Sequence, residues 1–101
     1  MRYAIIEPGR QKTGVEWLKD ALPQPARLED FRRLLQTLFA GDGFEHVVVN
    51  TTAGQSSMFI GERSTQQELP HNDLATLLYQ TTGKTSTIHG RAVLFDGKVW
   101  P

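Results

Sequence analysis

Apolar residues fall into short groups along the chain, and their spacing predicts the elements. Tyr3, Ala4, Ile5 and Ile6 open a strand over residues 3–7. Pro8 and Gly9 stop it, because proline lacks a backbone donor and glycine bends freely. Residues 15–22 read two ways: Val15, Leu18 and Leu22 keep helical spacing, while Val15 and Trp17 keep strand alternation. Pro23 and Pro25 end either form. Residues 27–40 carry the clearest pattern. Leu28, Phe31, Leu34, Leu35, Leu38 and Phe39 recur on one helical face, with Glu29, Asp30, Arg32, Arg33 and Gln36 opposite. The acids sit in the first turns, where the helix dipole favours them, and Gly41 supplies a C-terminal stop.

Residues 44–50 and 57–61 are rich in residues that suit a pleated sheet. The polar stretch 51–56 between them contains Gly54, so a β-hairpin is expected. Residues 62–68 read as a polar loop. Asn72 or Asp73 then caps a second helix, with Leu74, Leu77 and Leu78 as its buried stripe and Ala75 beside them. Thr81, Thr82 and Gly83 end that helix. Residues 88–95 predict a further strand, and Asp96-Gly97 before Lys98, Val99 and Trp100 is a strong hairpin signal. The order predicts one α+β domain over residues 1–101. It has a mostly antiparallel sheet of about five or six strands and two or three helices on one face. The other face is left wet or used for binding.

Composition narrows the functional classes. The chain has 101 residues and no cysteine, which excludes a disulfide framework and a thiolate metal site. Its 11 basic and 11 acidic residues balance, seven against seven in residues 1–50 and four against four in residues 51–101. This even spread predicts no charged tail or polybasic anchor. No apolar run approaches the roughly 18 residues of a membrane span. The start of the chain meets Glu7 and Pro8 too early for a signal peptide, so a cytoplasmic location is expected.

Candidate chemistry is sparse. Gly83-Lys84-Thr85 ends like a phosphate loop, but the glycine required five positions earlier is Leu78. The predicted order is also helix before and strand after, which does not cradle a phosphate. His46, His71 and His89 lie too far apart in sequence for a local metal motif, and convergence with Asp42, Glu45 or Asp73 would be needed. Gly54-Gln55-Ser56-Ser57 joins two strands and is not a nucleophile elbow. Glu29 and Asp30 point about 100° apart on a helix and do not aim at one substrate atom. Tyr3, Trp17, Phe44, Phe59, Tyr79, Phe95 and Trp100 are scattered, with few basic neighbours. That argues for core aromatics over a nucleic-acid platform. Trp100 reads either as the last strand residue or as an exposed interface anchor.

One segment carries a resemblance. Leu69, Pro70, Asn72, Ala75 and Thr76, followed by Ile88, Gly90, Ala92 and Val93, resemble a family of small uncharacterised phage and plasmid proteins. Its members place Leu-Pro-x-Asn-x-x-Ala-Thr before a short helix and Ile-x-Gly-x-Ala-Val late in the chain. Ile5 to Gly9, the helix closing at Gly41 and the hairpin around residues 47–60 fit as well. Residues 11–25 are longer and more apolar than the family shows. The resemblance implies a mobile-element origin and the α+β fold, and it implies no reaction. Pro70, Asn72 and Thr76 read structurally, as a rigid entry, a cap and a small contact, or else as part of a ligand site.

With no catalytic set, the chain is expected to be a non-catalytic protein that binds a host protein, for instance a defence or transcription component. No metal or cofactor is called for. The candidate binding residues are Arg63, Pro70, Asn72, Thr76, Lys84, Arg91 and Trp100. Two alternatives stay open. In one, a nucleotide-type ligand binds at a homo-oligomer interface, with Arg63, Lys84 and Arg91 on phosphate. In the other, the chain is a small enzyme. The terminal strand ending in Pro101 offers an edge for pairing across a two-fold axis.

Overall fold

A computed structural model describes residues 3–9, 28–39, 43–51, 54–61 and 69–97. In chain order the elements are β1 (Tyr3–Ile6), α1 (Leu28–Leu38), β2 (Phe44–Thr51), β3 (Gly54–Gly61), α2 (Asp73–Gln80) and β4 (Ala92–Phe95). The strands form one sheet in the order β1-β4-β3-β2, and every neighbouring pair is antiparallel. The α+β class and the antiparallel sheet stand as read from the sequence. Among the described residues there are four strands and two helices, fewer than the five or six and two or three expected. Residues 15–22, the loop 62–68 and the arm 98–100 lie outside the described residues.

The hairpin of β2 and β3 keeps full register from Phe44 opposite Gly61 to Thr51 opposite Gly54. It reaches further toward the turn than expected, because Gly54, with φ +116°, already belongs to β3. Strand β4 is shorter than residues 88–95 suggested. Gly90 has φ +77°, a left-handed value that interrupts an extended strand, so β4 begins at Ala92. Before that break, residues 69–72 and 88–90 make a bridge of their own between His71 and His89. The Asn72 N–H donates to the Ile88 carbonyl at 2.8 Å and the Gly90 N–H to the Pro70 carbonyl at 2.7 Å. Pro70 has no N–H, so the bridge does not extend through it.

The largest correction concerns the faces of the sheet. Both helices were expected on one face, and they lie on opposite faces. Ala92 and Leu94 of β4 join Ile6, Val49, Met58, Ile60, Ala75 and Ile88 in a core on the α2 side. Val93 and Phe95 join Tyr3, Phe31, Leu35 and Phe59 on the α1 side. Successive side chains of a strand point to opposite faces, so both sides of β4 and of the apolar part of β3 are covered. On the α1 side, Phe95 is the hub of an aromatic cluster. Its ring lies 5.3 Å from Phe31, 5.7 Å from Phe59 and 5.8 Å from Tyr3. Edge-on and tilted arrangements of this kind suit the ring quadrupoles.

Helix α1 keeps the expected amphipathic face, with Phe31 and Leu35 buried and Leu34 and Leu38 packed beside them. Helix α2 departs from its expected stripe. Leu77 is 64% exposed and Leu74 and Leu78 only half-buried, whereas the small Ala75 and Thr76 are buried. No helix among the described residues is long and apolar enough to cross a membrane.

Candidate functional site

Helix α2 and the segment that follows it gather several of the residues singled out from sequence. Asn72 is 1% exposed and has the extended backbone of an N-cap. Its Oδ1 accepts the Ala75 N–H at 3.2 Å, so one free donor of the helix start is satisfied. Its Nδ2 donates both protons, to the Ile6 carbonyl at 2.9 Å and to the Gly90 carbonyl at 2.8 Å. Ile6 ends β1 and stands opposite Ala92 in the sheet. One amide thus fastens the start of α2 to the end of β1 and to the bend just before β4.

Thr76, 6% exposed, makes the next tie. Its Oγ1 accepts the Ile88 N–H at 2.8 Å and lies 3.4 Å from both the Ile88 carbonyl and His71 Nε2. At the far end of the helix, the Asn50 N–H donates to Thr81 Oγ1 and Asn50 Nδ2 to the Thr81 carbonyl, each at 3.0 Å. Helix α2 is therefore pinned at both ends by asparagines, its own N-cap Asn72 and Asn50 of β2. Thr81 and Thr82 also donate their hydroxyl protons to the Leu78 and Tyr79 carbonyls, which closes the helix C-terminus.

A polar cluster sits on the exposed side of the helix start. His71 Nδ1 lies 2.6 Å from Asp73 Oδ1, and an ionised carboxylate only accepts, so Nδ1 carries the proton. His71 Nε2 then faces the Thr76 hydroxyl. His89 donates from Nδ1 to the Leu69 carbonyl at 3.1 Å, which leaves its Nε2 to accept the Thr87 hydroxyl at 3.0 Å. The two rings meet edge to face with centroids 5.5 Å apart. His71 and His89 thus converge in space although 18 residues separate them in sequence. All four ring nitrogens face a protein atom, and among the described residues no group of three or more His, Asp or Glu side chains could hold a metal ion. His46 stands apart on the α1 face, stacked on Phe59 and 3.0 Å from Ser57 Oγ.

Among the described residues, the candidate binding residues do not gather at one place. Pro70, Asn72 and Thr76 gather around residues 88–90 on the α2 side. The Arg91 side chain leaves toward the α1 side. Its Nε donates to Glu7 Oε1 at 2.6 Å and its Nη1 to the Leu38 carbonyl at 2.9 Å. Helix α1 has no basic residue in its last turn, so Arg91 supplies the cation that its C-terminus favours. Lys84 is exposed in the segment after α2. Arg63 and Trp100 lie outside the described residues. A phosphate site shared by Lys84 and Arg91 would have to compete with Glu7 for the Arg91 guanidinium.

Sequence reasoning missed the outer side of α2. Of its large apolar residues, Leu77 is exposed and Leu74, Leu78 and Tyr79 are half-buried, packed by one edge on the core. Leu69, 36% exposed, is the other large apolar side chain left open among the described residues. An all-round apolar helix normally belongs in an interior. Burial of Ala75 in the core and of Thr76 against Ile88 turns the larger side chains outward. The sequence signal was the pair of small residues between leucines, read as close packing without its consequence for Leu77. No family model, curated protein or solved structure matches this chain.

Proposed function

We propose that the protein is a non-catalytic accessory protein of a phage or plasmid that acts by binding a host protein, with the outer side of α2 as its contact surface. One observation carries this reading: α2 buries its small residues and leaves Leu77, with the flanks of Leu74, Leu78 and Tyr79, to water. Interface centres are apolar and depleted in charge, and only Asp73 on this helix is charged. The asparagine ties at both ends hold the surface in place before any partner arrives, which lowers the ordering cost of association. Several of the groups that could carry chemistry support the same reading. Asn72, Thr76, His89 and Arg91 are engaged in bonds that hold the fold. The mobile-element origin rests on the resemblance carried by residues 69–76 and 88–93.

The test is affinity capture from a host lysate with the wild-type chain and a Leu77→Asp variant side by side, followed by calorimetry on the captured protein. Leu77 is too exposed for the variant to unfold the domain, and an unchanged melting temperature checks that. The variant is expected to lose at least tenfold in affinity, about 1.4 kcal/mol. Equal binding by both chains rejects α2 as the surface, and no reproducible capture by the wild type rejects the function.

A further inference from the structure

We draw no further inference here: the strongest candidate, the side-chain cluster of Asp73, His71 and Thr76 at the start of α2, belongs to the site already described and carries nothing more, because the Thr76 hydroxyl is buried and already accepts the Ile88 N–H, which leaves no open nucleophile beside the imidazole.

Discussion

Replacement of Asn72 separates two jobs held by one side chain. Its Oδ1 caps α2, and its Nδ2 clamps the Ile6 and Gly90 carbonyls. Asn72→Ser keeps a capping oxygen and removes both clamp bonds. Each buried carbonyl that loses its donor costs about 1 kcal/mol, so the serine variant should lose about 2 kcal/mol. Asn72→Ala also loses the cap, worth about 1 kcal/mol, for a total of about 3 kcal/mol. Asn72→Asp keeps shape and cap but points a carboxylate oxygen at two carbonyl oxygens, so at neutral pH it should be worse than serine. Urea unfolding followed by circular dichroism reads all three. For a domain of this size, 1 kcal/mol moves the melting temperature by about 4–8 °C, so the serine variant should melt roughly 8–16 °C lower. A serine variant within about 0.5 kcal/mol of wild type would refute the clamp. An aspartate variant as stable as wild type would refute the orientation of the amide.

Three further outcomes follow from the packing. Gly90→Ala places a methyl at φ +77° and 2.7 Å from Leu69 Cδ1; the backbone term alone should cost about 1–2 kcal/mol in urea. Pairing it with Leu69→Ala should recover only the contact part, since Leu69 is half-open and able to shift. Phe95→Ala empties the centre of the aromatic cluster and should cost about 3–5 kcal/mol by thermal unfolding. Arg91→Ala should cost about 1 kcal/mol or less, because the Arg91–Glu7 pair is partly exposed, and the loss should shrink in 1 M salt. Arg91→Lys should not restore it, since Nε and Nη1 serve two acceptors at once and an ammonium lacks that fork.

The elements whose signals are local were legible in the sequence. Helix α1 announced itself by apolar spacing, the β2–β3 hairpin by a polar turn between two apolar runs, and the Asn72 cap by residue type. The two-sided sheet was misread although its sign was present. Ala92 to Phe95 and Met58 to Ile60 are unbroken apolar runs, and a strand with one wet face would alternate. Arg91 could not be assigned from sequence, because its partners Glu7 and Leu38 lie 84 and 53 residues away. The convergence of His71 and His89 was hidden for the same reason. Leu77 shows a different failure. Spacing counted it into the stripe, but the rotation of α2 is decided by the tethers at Asn50, Asn72 and Thr76, which periodicity does not weigh.

The position of β4 has a consequence for how the chain reaches its native state. This strand comes last among the described elements, yet it lies inside the sheet and pairs with the first: Tyr3 stands opposite Phe95 and Ile6 opposite Ala92. The hairpin of β2 and β3 can close early over a short loop, whereas β1 must wait for a segment some ninety residues away. Long-range closure of this kind raises contact order and slows folding. During synthesis, β1 would leave the ribosome without its partner strand and stay unpaired with it until β4 follows. Ile6 and Gly90 meet at the Asn72 amide, so that clamp belongs to the last step. The unfolding rate of an Asn72 variant should accordingly change more than its refolding rate.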